Sequence, residues 1–187
     1  MNSRVWFLLL AAALALAAAA RVVGADRTVQ FDAAHSTVEI VVQATVDSFT
    51  GKLSTYELSG TVDEQGRFTA ARLAFRFRDV LTGKPKRDQK MHEWQRTAQF
   101  PDASFVLTAL TPVAGGDTRA RGTLTLHGVA REMDFPVTIA REANTYAIEG
   151  VAPVDVREFG LPVIRMMGLL KVDPIVRVRF HFQGKVS

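Results

Sequence analysis

From Thr28 onward the chain alternates apolar and polar residues with a period of two, a pattern that commits it to β-strands with two unlike faces. In "HSTVEIVVQATV" the residues Val38, Ile40, Val42, Ala44 and Val46 share one face, with Thr37, Glu39, Gln43 and Thr45 opposite. "RLAFRFRDV" sets Leu73, Phe75 and Phe77 against Arg72, Arg76 and Arg78, and "RGTLTLHGV" sets Leu124 and Leu126 against Thr123, Thr125 and His127. "PIVRVRFHFQG" sets Val176, Val178, Phe180 and Phe182 against Arg177, Arg179 and His181. Further strands are expected near 28–32, 53–63, 103–110, 132–141 and 145–154. Tight-turn sequences separate them: "DEQG" at 63–66, "AGGD" at 114–117 and "REAN" at 141–144. Short connections make successive strands antiparallel. Eight or nine such strands form a barrel or a sandwich, and a closed barrel is preferred because it leaves no exposed edges.

One stretch breaks the period. In "LTGKPKRDQKMHEWQRTAQFPD", residues 81–102, Arg87, Met91 and Trp94 recur at spacings of four and three, the mark of one helical face, while Lys86, Lys90 and Glu93 share a wetter one. Pro85 suits a first helical turn, and Pro101 returns the chain to a strand. About twelve residues do not hold a helix in water unaided, so Met91 and Trp94 are expected to dock on an apolar surface, the open end of the barrel.

Residues 1–25 read as a secretory signal, with Arg4 ahead of an apolar run from Val5 to Ala20 and small residues at the cleavage site. Cleavage is expected after Ala25, with Ala20 as the second site and an uncleaved anchor as the alternative. The domain is then 26–187. Removing Arg4 and Arg21 lowers the formal charge of +4 by two, which is too small for a nucleic-acid footprint. The chain has no Cys, so disulfides and Cys-ligated metal sites are excluded, and an exported domain of this size then stands on its core, which suits a bacterial periplasm.

Several of these stretches together resemble the YceI-like family of periplasmic, lipocalin-like polyisoprenoid-binding proteins. "FDAAHSTVEI" resembles its opening strand with an Asp-x-x-His-Ser signature, and "TGKPKRDQKMHEW" its Thr-Gly-x-x-x-Arg-Asp crossover helix. "ARGTLTLHGVAREMDFPV", "VDVREFGL" and "GLLKVDPIVRVRFHF" resemble its hairpin, its Arg-x-Phe-Gly element and its closing strand. The resemblance implies an all-β fold: a single antiparallel, lipocalin-like barrel of about eight strands with a short crossover helix. It also implies a long apolar cavity holding an isoprenoid, quinone-like or fatty chain, with no agreed catalytic activity; with no active site in the sequence, neither an enzyme nor a cofactor is expected. The chain departs from the family at "MHEWQRTAQFPD", where Trp94 and Arg96 stand in place of Phe-Phe-Asp.

An interior of Val, Ile, Leu and Phe suits either a filled core or a slender cavity in a barrel of this size, and the resemblance favours the cavity. The strand residues expected to line it are Phe49, Phe75, Phe77, Phe105, Leu126 and Phe180. Arg87, Met91 and Trp94 are expected from the helix. Phe159, Met166 and Met167 are expected from the apolar segment "REFGLPVIRMMGLL", either as a flexible flap or as ordinary packing over the barrel end. Structural roles are assigned to His35, Ser36, Asp88, Gly122, Gly128, Arg157 and Gly160.

Arg87 and Asp88 read as an ion pair or cap fastening the helix, with Arg87, joined by Lys84 or Lys86, alternatively at the mouth to meet a lipid's phosphate or polar head. His35 reads as a buried ring at a strand start, its neighbour Ser36 satisfying nearby backbone, and His127 as a turn former at a strand end. The four histidines, His35, His92, His127 and His181, lack metal-ligand spacing. His35 and Ser36 point to opposite faces of a strand, which argues against a Ser/His hydrolase.

The resulting expectation is a periplasmic carrier. A partner-dependent stress or redox protein is the alternative, and a lipid-acting enzyme a third reading that requires His35, Arg87 and Asp88 to converge. Transient membrane contact and pairing of two barrels are left open.

Overall fold

The computed structural model describes residues 26–45, 47–113, 118–166 and 170–187. The proposed signal segment 1–25, Val46, the "AGGD" turn and Met167 therefore lie outside the described residues. Among those described, no helix is long and apolar enough to cross a membrane.

The strands are β1 (Arg27–Phe31), β2 (Thr37–Val42), β3 (Phe49–Leu53), β4 (Glu57–Val62), β5 (Phe68–Arg76) and β6 (Val80–Leu81). After helix α1 (Pro85–Gln95) come β7 (Asp102–Pro112), β8 (Thr118–Leu126), β9 (Val129–Glu142) and β10 (Thr145–Asp155). A short hairpin of β11 (Arg165–Met166) and β12 (Leu170–Lys171) precedes the last strand, β13 (Ile175–Val186). All pairings are antiparallel. The order β1-β4-β5-β7-β8-β9-β10-β13 closes on itself through β1 and β13, giving an eight-stranded barrel.

Three successive walls of this barrel are each broken midway. β13 pairs with β1 near its C-terminus and with β2 nearer its start, β2 pairs with β3, and β3 pairs with β6. Thus β1/β2, β4/β3 and β5/β6 are bent walls, the first and third interrupted by 3-10 turns at Ala33–His35 and Phe77–Asp79. The expected single strand over 53–63 is therefore corrected: it splits at Ser54–Tyr56, where the Ser54 N–H and hydroxyl both donate to the Asp79 carbonyl at 2.9 Å.

His35 is a second correction. Its ring is exposed, and Nδ1 lies 2.7 Å from Asp32 Oδ2, so a near neighbour supplies its partner. Asp32 also caps the 3-10 turn by accepting from Ala34 N–H, and the His35 ring holds the Asp32 carboxyl below the usual range. Ser36 behaves as expected, its buried hydroxyl accepting from the Gln183 N–H at 3.1 Å.

One barrel end is plugged. Val29, Val62, Tyr146 and Val186 are buried there with Phe31, Phe68 and Ile139 against them, and the Tyr146 hydroxyl donates to the Gly66 carbonyl at 2.8 Å. The other end carries the β8–β9 turn, where His127 (φ 52°) and Gly128 (φ 73°) take the left-handed conformations a two-residue hairpin demands. There β6 ends the sheet order, and the chain departs into α1.

Candidate functional site

Between the plug and α1 the barrel encloses a cavity of about 830 Å³. It exists because alternate inward positions carry small residues. On β8 the inward series is Ala120, Gly122, Leu124 and Leu126, and on β10 it is Ile148, Gly150, Ala152 and Val154. A Cβ on Gly122 would lie 2.3 Å from Phe105 Cζ, and one on Gly150 would lie 2.7 Å from Phe180 Cζ. Those two rings therefore lie against bare backbone on the wall, and the lumen beside them stays open.

The strand alternation places the expected residues. Phe49, Phe75, Phe77, Phe105, Leu126 and Phe180 all border the cavity, as do Arg87, Met91 and Trp94 from one face of α1. Phe159 does not. It is fully buried with Ala103, Leu126, Val154, Val156 and Leu161, and Trp94 packs on that cluster, so Phe159 supports the mouth from behind. Met166 belongs to β11, but its side chain, like Met167, lies outside what is described.

The mouth is ringed by three segments. α1 is tied to the 161–164 segment by Trp94, whose Nε1–H donates to the Pro162 carbonyl at 2.9 Å. That segment, with Leu161, Val163 and Ile164 bordering the cavity, continues into β11 and β12. β12 in turn joins the β2–β3 connection, with Thr45 N–H donating to the Lys171 carbonyl at 3.1 Å and Asp173 N–H to the Gln43 carbonyl at 2.8 Å.

Arg87 closes the ring from the other side. Its Nη2 lies 3.4 Å from Asp47 Oδ2, and its guanidinium sits 4.2 Å from the centroid of Phe49. This corrects the expected Arg87–Asp88 pair. Consecutive helical residues do not face each other, and Asp88 turns instead to Thr82, accepting from its N–H at 2.9 Å and its hydroxyl at 2.6 Å. Both residues fasten the helix, through different partners. His35 pairs with Asp32, so His35, Arg87 and Asp88 have three separate sets of contacts.

The Arg157 and Gly160 motif builds the floor of the 161–164 segment. A 3-10 turn at Val156–Phe159 is capped by Asp155, which accepts from Arg157 N–H at 3.0 Å and from Arg157 Nε at 2.9 Å, and Gly160 ends it at φ 73°. The Arg157 side chain, then its backbone N–H, hold the Asp155 carboxyl below the usual range. A depressed folded-state pKa contributes stability above the unfolded value of about 3.9 that is lost as pH falls through the folded value. Asp155→Ala is therefore expected to cost about 1 kcal/mol at pH 7, typical of a lost cap. Urea midpoints of the two proteins should converge as the pH drops below about 4; a gap that stays constant to pH 3 would show that the carboxylate charge is not its source.

Sequence reading missed Asp47, whose partner lies 40 residues away. It also missed Gln95, which is fully buried at the end of α1. The inward face of β9 was legible but unused: Met133, Phe135, Val137 and Ile139 alternate in "REMDFPVTIA" and all border the cavity.

Residues 28–184 match the model of the YceI-like domain. Among solved structures the fold is similar to BcnA of Burkholderia cenocepacia, with a TM-score of 0.72 and 22% identity over 82% of this chain and 99% of that one. A polyisoprenoid binding domain from Saccharophagus degradans gives a TM-score of 0.66 at 21% identity, covering 87% of this chain and 100% of that one. The YCEI protein of Campylobacter jejuni gives 0.59 at 14% identity, over 73% and 85% respectively. No curated protein matches the chain.

Proposed function

The chain belongs to the YceI-like family, and from that premise we propose that it is a binding protein that holds one long apolar chain, an isoprenoid, quinone-like or fatty lipid, inside the barrel. The observation that carries this reading is the cavity, about 830 Å³ bordered by alternate Val, Ile, Leu and Phe residues from the whole circuit of strands. That size falls within the range of small-molecule sites. At roughly 30 Å³ per water-sized group it admits on the order of 25 to 30 such groups. The description of the Saccharophagus degradans neighbour as a polyisoprenoid binding domain supports the same ligand class.

The energetics favour a chain over a compact ligand. Each buried methylene contributes about 0.8 kcal/mol, so a few isoprene units give a gross gain of order 10 kcal/mol before association and ordering costs. The plug leaves the α1 end as the entrance, and the apolar lining favours a chain lying tail inward with its polar head at the mouth under α1. A carrier or scavenger in the periplasm, delivered by the signal segment 1–25, is the role this chemistry fits. We read the protein as a carrier rather than a catalyst, because the residues a lipid-acting enzyme would need, His35, Arg87 and Asp88, each serve separate structural contacts.

Incubating the purified protein with a long-chain isoprenoid alcohol should give saturable binding of about one equivalent, with the alcohol recovered unchanged. Conversion of an added lipid to product, lost on Arg87→Ala or His35→Ala without unfolding, would replace the carrier with an enzyme.

A further inference from the structure

From the charges at the mouth we infer that the cavity discriminates by head group: it takes a long chain ending in an uncharged group, such as an alcohol, ester or quinone-like ring, over the same chain ending in phosphate, diphosphate or carboxylate. The inference rests on the carrier reading and adds the chemistry of the ligand's outer end.

Six charged residues border the cavity, Asp47, Arg72, Arg87, Lys90, Glu93 and Asp173, three of each sign. Arg72 is an exposed residue of β5, and the other two cations that border the cavity, Arg87 and Lys90, come from α1. Both of these already have a carboxylate. Arg87 Nη2 is 3.4 Å from Asp47 Oδ2, and Lys90 Nζ is 3.1 Å from Glu93 Oε2. Glu93 also accepts from Gln89 Nε2 at 3.0 Å, and these two donors hold its carboxyl below the usual range, so it stays ionised.

The third positive feature is the N-terminus of α1, which begins at Pro85 after Lys84. A helix start attracts anions. Here Asp88 already occupies the first turn, held by Thr82. On the facing segment Asp173 accepts from Ile175 N–H at 2.9 Å and adds another negative charge at the rim.

A phosphate arriving at Arg87 competes with Asp47 for the guanidinium, in a cavity that Glu93 and Asp173 also border. A partly exposed pair such as Arg87–Asp47 is worth up to about fivefold in affinity, and the remaining like charges add to the penalty. An alcohol or carbonyl head leaves every pair intact and has no charge to desolvate. Asp47 is thus a specificity residue, and its removal should free Arg87 for an anion.

The test uses purified protein and two C20 probes, geranylgeraniol and geranylgeranyl diphosphate, each displacing labelled geranylgeraniol below its micelle concentration. The diphosphate should be roughly tenfold weaker than the alcohol. Asp47→Asn should close most of that gap by strengthening the diphosphate relative to the alcohol. Equal or tighter binding of the diphosphate to the wild-type protein, or a gap indifferent to Asp47→Asn, would overturn the preference while leaving the carrier reading intact. If unlabelled alcohol itself displaces nothing, the carrier reading fails and takes the preference with it.

Discussion

Replacing Ala71 and Ala152 together by Phe is expected to empty the barrel, lowering the lipid that accompanies the purified protein to under about a tenth of the wild-type amount. Both alanines border the cavity, Ala71 on β5 and Ala152 on β10. Each ring would occupy lumen that a chain otherwise fills, and a chain held by length and shape has few polar contacts to compensate. Stability should move far less than binding. New side chains that enter open space bury apolar area, and overpacking costs of about 1–3 kcal/mol arise only where they meet the wall. The comparison needs thermal melts beside lipid extraction from each variant. A double variant that melts normally yet retains its full lipid load would show that the ligand sits elsewhere.

Gly122→Ala is expected to be the most destabilising small substitution in the wall. The added methyl would meet Phe105 Cζ at 2.3 Å and the Val106 carbonyl oxygen at 2.5 Å. The ring can swing, but the carbonyl belongs to β7, which pairs with β8 beside it through Leu107 and Gly122. Relief therefore requires parting two strands of a closed barrel. A cost near the top of the overpacking range, about 3 kcal/mol, corresponds to a fall in Tm of about 6–12 °C for a domain of this size. The displaced Phe105 ring has only the lumen to enter, so bound lipid should fall as well. Gly83→Ala is the control for glycine content, because no atom lies within 4 Å of its Cβ position, although its φ of 74° carries a smaller backbone strain. Equal melting of the Gly122 variant and the wild type would mean that the β7–β8 contact is looser than described.

How much was legible beforehand follows from which interactions are local. The inward faces Val38, Ile40 and Val42 on β2, Leu73 and Phe75 on β5, and Val176, Val178 and Phe180 on β13 were readable from alternation, and all of them border the cavity. The helical face of Arg87, Met91 and Trp94 was readable for the same reason, since a period needs only the chain itself. What escaped depends on contacts between distant residues. The break between β3 and β4 is set by Ser54 meeting Asp79, 25 residues on, and the partner of Arg87 is Asp47 on another connection.

His35 departs in its burial. A buried ring at a strand start was expected, and the local partner Asp32 holds it at the surface instead. Whether the barrel is filled or open was also beyond the pattern, because the answer lies in register. Gly122 beside Phe105 and Gly150 beside Phe180 let two large rings lie flat on the wall, and no periodicity reveals which ring faces which glycine. Trp94 near the end of α1 has a visible consequence, since its indole N–H ties the helix to the Pro162 carbonyl in a way that a phenylalanine ring does not allow.

The central claim is that the barrel carries a chain, and it is tested most directly by mass spectrometry of an organic extract from protein purified in its native fold. The account predicts one dominant long apolar species at about one per barrel, consistent with the room available. Repeated extracts without any stoichiometric isoprenoid or fatty chain, from protein shown to be folded, would contradict it.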